Sequence, residues 1–139
     1  IIYRYSDIIL MKAEAMVMKG KLSEALDLIH EFRAYRGHSI SLPTHGTERE
    51  ALMMVIDERS RECIAEGKRW FDILRVSKRN KSYEDYVIEV LLLGIDAKDY
   101  MTWKSRLSEP LSWYLPVHRN EIVNSNGVVT QNSYYAETN

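Results

Sequence analysis

Apolar residues recur at helical spacing along the first part of the chain. They predict one helix over residues 4–18 and a second over residues 22–36. Gly37 follows the second helix in the position of a C-terminal cap. The connection between the helices, residues 19–21, is short enough to force an antiparallel hairpin. The apolar positions of this hairpin are Ile9, Ala13, Met16, Val17, Ala25, Leu26, Leu28, Ile29 and Phe32.

Small residues in this hairpin follow the spacing of a tetratricopeptide repeat. Ala13, Gly20, Ala25 and Ile29 fall where such repeats place small residues and one bulky residue, and small residues let two helices approach closely. No second copy follows about 34 residues later, so the sequence predicts no extended repeat array.

The pattern of the next segments predicts two more helices. Residues 38–46 read as a loop, and Thr47 with Glu50 forms a capping box that starts a third helix. That helix is predicted to run to about Glu66, with Gly67 as the hinge, and a fourth helix covers residues 68–77. Trp70, Phe71, Ile73 and Leu74 are predicted to lie on the buried face of the fourth helix.

The last part of the chain has a weaker pattern. Residues 83–93 favour a helix, although their Val, Ile and Tyr content also suits a strand. A short helical turn is predicted within residues 96–107, an extended segment over 113–117, one turn over 119–122 and a turn-rich tail over 124–135. Because the tail carries Val128, Val129, Tyr134 and Tyr135, we expect it to pack back onto the helices.

Charged residues run along the apolar stripe of residues 57–75. An unpaired buried charge is very costly, so these residues need partners. The sequence therefore predicts a hydrogen-bonded polar seam inside a helical core. The polar seam comprises Glu58, Arg59, Glu62, Glu66, Arg69, Asp72 and Arg75.

The same stretch permits a catalytic interpretation. Glu58, Glu62 and Glu66 are spaced by four and share one helix face, as the acid and base of a glycoside hydrolase or the ligands of a metal would. Arginines interleave with them. A nearby guanidinium lowers the pKa of a carboxyl group, whereas a catalytic acid needs a raised pKa. We therefore favour a structural ion-pair network over a hydrolase, and expect Arg69→Ala to lower the melting temperature by several degrees or to abolish folding.

Composition narrows the classes of function. The 139 residues are 45% apolar and 28% charged with a formal net charge of −1, which fits one globular domain over residues 1–139 and no nucleic-acid-binding surface. Four His and the single Cys63 show no metal-binding spacing, so neither a metal nor a cofactor is predicted. Cys63 is expected to be a small buried residue. The chain opens inside an apolar pattern without Met or a signal peptide, and we expect it to be a segment of a longer protein.

Aromatic residues near the weakly periodic region are candidates for ligand contact. They are Tyr100, Trp103 and Trp113, with Arg106 among them. Flat aromatic faces beside polar groups suit stacking on sugar rings, but they also seal the edge of a small domain. Both interpretations stay open from the residues alone.

Four groups of residues form motifs in chain order: 10–15, 29–37, 58–75 and 115–135. Together they resemble the C-terminal part of the SusD/RagB family of nutrient-binding outer-membrane lipoproteins. The third group is the most specific, because it follows the family pattern ER-x-x-EL-x-x-EG-x-RWFDL-x-R almost residue for residue. The chain departs from the family where His118 replaces a second proline and Ser133-Tyr134 replace Pro-Gly.

The resemblance implies a helical fold with tetratricopeptide-like hairpins and a role in capturing nutrients, typically oligosaccharides. Members of the family act without catalytic activity, as a lid on a SusC-like TonB-dependent transporter. Their lipid anchor, which holds them at the surface of the outer membrane, would lie outside these residues. The alternative is a tetratricopeptide-like protein-interaction module with no small-molecule ligand.

Overall fold

Helices form all the regular secondary structure in the part of the chain that this computed structural model describes, residues 3–38, 46–79 and 84–136. The α-helices are α1 (Tyr5–Met18), α2 (Leu22–Tyr35), α3 (Glu48–Glu62), α4 (Arg69–Ser77), α5 (Tyr86–Leu91), α6 (Ala97–Leu107) and α7 (Arg119–Asn124). Two short 3-10 helices cover Pro110–Trp113 and Ser133–Tyr135. The predicted all-α fold class is confirmed. The loop predicted over residues 38–46 lies mostly outside the described residues.

The α1–α2 hairpin has the caps that its glycines predict. Gly20 and Gly37 adopt left-handed φ angles of +74° and +78° at the ends of the two helices. The His38 N–H donates to the Arg33 carbonyl at 3.0 Å and the Gly37 N–H to the Ala34 carbonyl at 3.0 Å, which is a Schellman motif. The same pair of bonds ends α1.

Helix α3 packs against both α1 and α2. Ala13 and Ala25 are fully buried, in accord with a close approach of the helices. Ile9 and Met16, which the pattern placed in the core, are only half-buried, because Leu10 and Ala13 define the inner face of α1. The core here consists of Leu10, Ala13, Val17, Ala25, Leu26, Ile29, Phe32, Ala51, Leu52, Val55, Ile56 and Cys63.

The start of α3 is confirmed and its predicted end is wrong. The Glu50 N–H donates to Thr47 Oγ1 at 3.2 Å, and the Thr47 N–H donates to Glu50 Oε2 at 2.7 Å, which completes the capping box. The helix ends at Glu62 and not at Glu66. Ala65 and Gly67 both have left-handed φ angles, +62° and +70°, so the chain makes a tight turn before α4 instead of bending at one glycine.

The buried face of α4 differs from the prediction at one aromatic residue. Phe71 is 69% exposed and Trp70 is half-buried, whereas Ile73 and Leu74 are buried as expected. Asp72 takes the inward position beside them because it pairs with a buried arginine. Phe71 is on the opposite side of the helix from Ile73 and faces solvent.

The chain divides into two compact units, Ile1–Asp72 and Ile73–Asn139, and the division falls within α4. We refer to them as the first and second unit. The organisation of residues 1–139 as one domain stays a prediction.

The second unit contains more helix than its pattern predicted. The helix predicted within residues 83–93 is confirmed over Tyr86–Leu91, and α6 is a complete helix where a short turn was expected. Helix α7 extends to Asn124, two residues beyond its predicted end. Trp113 lies in the first 3-10 helix at 5% exposure, and its Nε1–H donates to the Leu107 carbonyl at 2.8 Å.

Side-chain amides fasten the tail of the second unit. Gln131 makes two bonds to Val117: its Oε1 accepts from the backbone N–H at 2.8 Å and its Nε2 donates to the carbonyl at 3.0 Å. Asn132 caps the last 3-10 helix through the Tyr134 N–H and donates to the Leu111 carbonyl at 2.8 Å. The tail therefore returns to the segment that follows α6.

Among the residues described, no helix is both long enough and apolar enough to cross a membrane.

Candidate functional site

A cluster of charged groups surrounds Asp7, which is fully buried on α1. Lys68 Nζ donates to Asp7 Oδ2 at 2.7 Å, and the Arg4 backbone N–H donates to the same oxygen at 2.9 Å. Cys63 Sγ donates to Oδ1 at 3.5 Å, and the Arg59 guanidinium lies 3.8 Å from that oxygen. We call these five residues the Asp7 cluster.

The pKa of Asp7 reflects this surrounding. Burial alone would raise the pKa, because it disfavours the carboxylate. The bond from Lys68, the Arg4 backbone N–H, the Cys63 thiol and the charge of Lys68 outweigh burial and lower the pKa to about 2. Asp7 is therefore ionised throughout the physiological range.

Arg59 joins two buried carboxylates. Its Nε–H lies 3.2 and 3.1 Å from the two oxygens of Asp72, and its Nη1–H reaches the Asp7 carbonyl at 3.5 Å. The guanidinium and both carboxyl groups are almost entirely buried. This arginine connects α1, α3 and α4 through charge pairs made away from water.

Two further carboxylates of α3 are paired with arginines from α2 and the N-terminus. Arg33 donates to Glu58 Oε2 at 2.9 Å, and Arg61 donates to the same oxygen at 2.9 Å. Glu62 accepts from Arg4 at 3.0 Å and also from Arg36. The pairs with Arg4, Arg33 and Arg36 link the carboxylate face of α3 to residues far away in sequence, whereas Arg61 lies on α3 itself.

Only some residues of the predicted polar seam lie together in the structure. Glu58, Arg59, Glu62 and Asp72 lie in buried or half-buried ion pairs, and Glu66 pairs with Arg4 and Lys68. Arg69 lies at the edge, where it donates to the Ile56 carbonyl at 3.2 Å and pairs with exposed Asp57 at 3.4 Å. Arg75 is on the exposed side of α4.

These contacts do not suit an acid–base pair. Burial raises the pKa of Glu58, but the bonds from Arg33 and Arg61 outweigh it and lower the pKa. The Lys68 ammonium and Arg4 likewise lower the pKa of Glu66 against the effect of burial. A carboxyl group whose pKa is lowered holds no proton to donate near neutral pH. The arrangement favours charge pairing.

Two residues of the Asp7 cluster, Asp7 and Cys63, together with neighbouring Glu66, have the residue types of a metal site. Ligand atoms of Asp7, Cys63 and Glu66 lie within 4.8 Å of one another. Lys68 Nζ already donates to both carboxylates, at 2.7 Å to Asp7 and 2.9 Å to Glu66. Burial and the Asp7 charge raise the pKa of the Cys63 thiol, whereas a metal ligand must be a thiolate. The Lys68 ammonium therefore occupies the position between the carboxylates that a metal cation would take.

Sequence reasoning missed three members of this cluster, Arg4, Asp7 and Lys68. The signal for Asp7 is its place beside the apolar run Ile8-Ile9-Leu10, where a charge needs a partner. Lys68 gives no comparable signal, because it follows Gly67 in a polar turn and only the fold brings it to α1.

Cationic side chains lie near aromatic rings on α6 in the second unit. Tyr100 and Trp103 are partly exposed, and no side chain of this helix is buried within the described residues. The Arg106 guanidinium lies 5.4 Å from the centroid of the Trp103 ring, and Lys104 Nζ lies 6.0 Å from that of Tyr100. These distances are typical of cation–π contacts. We call these four residues the α6 aromatic face.

Trp113 does not join the α6 aromatic face. A ring that is 5% exposed offers no surface for stacking, and its polar group already donates within the protein. We therefore leave Trp113 out of the candidate ligand contacts.

An open groove of about 800 Å³ runs along one side of the α1–α2 hairpin. Side chains of both helices line it, with Arg4 and Arg36 at one end. No feature of the sequence analysis predicted this groove. We call it the α1–α2 groove.

The model of the SusD family matches residues 1–135. The chain belongs to the SusD family. It is similar to SusD-like protein P38 from Formosa agariphila, with 33% identity over 87 residues that cover 56% of this chain and 17% of that protein. The chain therefore spans only a small part of the curated relative that it matches. No solved structure gives a significant match.

Membership of the SusD family confirms the resemblance and gives its most specific motif a physical meaning. In this SusD-family chain, the motif residues Glu58, Arg59, Glu62 and Asp72 each take part in a buried or half-buried ion pair. The SusD family is a non-catalytic binding family. The motif therefore identifies the family through its core contacts.

Proposed function

We propose that this chain is the C-terminal helical region of a nutrient-binding protein that acts in glycan uptake. In this proposal the complete protein is lipid-anchored at the surface of the outer membrane and delivers its ligand to a SusC-like TonB-dependent transporter. The observation that carries the proposal is the SusD-family match over residues 1–135. The pairing of the motif carboxylates with arginines supports a binding protein over a hydrolase.

We further propose that the α6 aromatic face contacts the saccharide. The rings of Tyr100 and Trp103 are partly exposed, and the cations beside them offer N–H donors to hydroxyl groups. A sugar ring places its C–H groups on an aromatic face and its hydroxyls at the edge, so one surface can satisfy both. The Arg106 guanidinium lies over the Trp103 ring, and its N–H groups donate to no other residue among those described, so they can donate to such hydroxyls.

Replacement of Trp103 tests this contact. Removal of one stacking surface is worth about 1.4 kcal/mol, so Trp103→Ala should weaken binding of an oligosaccharide about tenfold in isothermal titration calorimetry. Phe71→Ala is the matched control, because Phe71 is an exposed aromatic residue outside this face. Equal affinities of Trp103→Ala and the parent protein would remove the α6 aromatic face from the proposal.

Co-purification tests the partner and the location. The complete protein, tagged and expressed from its own locus, should fractionate with outer membranes and co-purify with a TonB-dependent transporter after mild solubilisation. A protein that stays with the intracellular fraction and binds other proteins there would contradict the proposal.

The alternative is a tetratricopeptide-like interaction module without a small-molecule ligand. The α1–α2 groove favours it, because a long groove between two helices suits a peptide or helix. The two functions are separated by the ligand assay: an interaction module binds no oligosaccharide with or without Trp103.

A further inference from the structure

The two cations of the α6 aromatic face have no carboxylate partner within the described residues. Lys104 and Arg106 contact aromatic rings, and in those ranges neither side chain forms an ion pair or donates a hydrogen bond. Arginines of the first unit differ, since Arg33 and Arg59 are bonded to buried carboxylates. Even Glu109, three residues after Arg106, does not pair with it. The described part of the chain therefore leaves the charge of this face without a counterion.

The end of α6 does not use these cations as caps. Basic side chains in the last turn of a helix often bond its terminal carbonyls. In α6, neutral side chains donate to those carbonyls instead. The bonds are Ser108 Oγ to the Lys104 carbonyl at 2.8 Å, Ser112 Oγ to the Arg106 carbonyl at 2.7 Å and Trp113 Nε1 to the Leu107 carbonyl at 2.8 Å. Helix capping therefore does not account for the placement of the two cations.

Acidic residues of this segment lie at the opposite end of α6. Asp96 precedes the helix and Asp99 lies in its first turn, where the helix dipole stabilises a carboxylate. Lys104 and Arg106 lie in the last turn. Positions 99 and 106 are about 10 Å apart along the helix axis, which is about the Debye length in moderate salt. The acidic end therefore does little to neutralise the basic end.

A cation over an aromatic ring favours an acidic sugar over a neutral one. The Arg106 guanidinium lies 5.4 Å from the centroid of the Trp103 ring, so it covers part of the surface on which a sugar would stack. A neutral sugar must share that surface with the guanidinium and gains only neutral hydrogen bonds. A carboxylate or sulfate on the sugar accepts charge-assisted bonds, which are roughly twice as strong. The planar guanidinium also matches the two oxygens of such a group.

We propose that the α6 aromatic face binds an acidic saccharide, one that carries a carboxylate or a sulfate ester. The sugar ring stacks on Trp103, and the anionic group pairs with Arg106 and Lys104. The inference rests on the saccharide contact of the proposed function and adds the charge of the ligand. It does not depend on the transporter.

Probes that differ only in charge test the proposal with the complete protein. An array presents uronic-acid oligosaccharides beside their carboxyl-reduced forms, and sulfated oligosaccharides beside their desulfated forms. At least one acidic probe should bind about fivefold more tightly than its neutral counterpart, which is the gain from one exposed ion pair. The two kinds of pair distinguish a carboxylate from a sulfate ester as the recognised group.

Variants without one positive charge test where the anionic group is bound. In isothermal titration calorimetry with the acidic probe that binds best, Arg106→Gln should weaken affinity about fivefold. Its affinity for the neutral counterpart should stay within about twofold of the parent protein. Arg119→Gln is the matched control, because Arg119 is an exposed arginine of the same unit without a ring contact among the described residues. This control should leave both affinities unchanged.

The outcomes separate this inference from the proposed function. Equal binding of both members of every pair, or a preference for the neutral members, would overturn the inference and leave a saccharide-binding protein. An acidic preference that Arg106→Gln does not reduce, or that Arg119→Gln reduces equally, would also overturn it, because the anionic group is then bound elsewhere. Binding to no probe of either kind would remove both the inference and the proposed saccharide contact.

Discussion

Arg59 lies between two buried carboxylates, and its removal should be the most damaging single change in the first unit. Asp7 and Asp72 would each lose a cationic partner away from water, which costs about 3 kcal/mol or more. We expect Arg59→Met, which keeps much of the side-chain volume, to lower the free energy of unfolding by about 3 kcal/mol in urea titrations.

Arg69→Met is the matched comparison. Arg69 is partly exposed and its carboxylate partner Asp57 is about half-exposed, so its ion pair is worth less than about 1 kcal/mol. The sequence placed both arginines in the polar seam and could not rank them, because ranking depends on burial. A larger loss for Arg69→Met than for Arg59→Met would contradict the structural role of the Asp7 cluster.

Asp7 should cause the free energy of unfolding to fall at acidic pH. Its pKa is about 2 in the folded state, below the value near 3.9 of an unfolded aspartate. The depressed pKa contributes stability that is fully present above pH 4 and is lost as pH falls through 2. The contribution is on the order of 2 kcal/mol.

Urea titrations at pH 5 and pH 2.5 measure this dependence. The loss of stability between the two pH values should be smaller in Asp7→Asn than in the parent protein, because the amide does not titrate. The remaining dependence comes from other paired carboxylates, including Glu58, whose pKa is also lowered. Identical pH dependence of the variant and the parent would show that Asp7 is not held as an ion.

The turn between α3 and α4 shows how far local patterns predict the elements. The glycines, the capping box and the apolar spacing predicted the presence of α1 to α4 and most of their ends. Ala65 gives no sequence signal for a left-handed conformation, so the end of α3 was placed four residues too late. Helix α6 was underestimated for another reason: no side chain of it is buried within the described residues, so burial leaves no periodic pattern to read.

Exchanging alanine for glycine at position 65, and glycine for alanine at position 67, tests the backbone strain of this turn. An L-residue in the left-handed region costs about 1 kcal/mol, and glycine avoids that cost. Ala65→Gly should therefore raise the free energy of unfolding by up to about 1 kcal/mol, offset in part by the added freedom of the unfolded chain. Gly67→Ala should lower it by about 1 kcal/mol, although no atom of the described residues lies within 4 Å of the new methyl group. Differential scanning calorimetry of the two variants decides this, and a stabilising Gly67→Ala would refute the backbone argument.

At the scale of the molecule, α4 connects the two compact units. Asp72 of this helix pairs with Arg59 in the first unit, and Ile73 and Val76 are buried residues of the second. Unfolding of either unit alone would break hydrogen bonds inside one continuous helix. Because that cost opposes separate unfolding, we expect residues 1–139 to unfold in one cooperative step, as their length predicts.

The tryptophans of the two units make this expectation measurable. Trp70 reports on the first unit, and half-exposed Trp103 and buried Trp113 report on the second. Replacing Trp103 and Trp113 by Phe leaves only Trp70, and replacing Trp70 and Trp103 leaves only Trp113. In each protein, tryptophan fluorescence and the far-ultraviolet circular dichroism of all helices should have the same midpoint in urea. A different result would show two domains. In that case the fluorescence midpoint would lie below the circular dichroism midpoint in one of the two proteins and above it in the other, because the two units unfold independently.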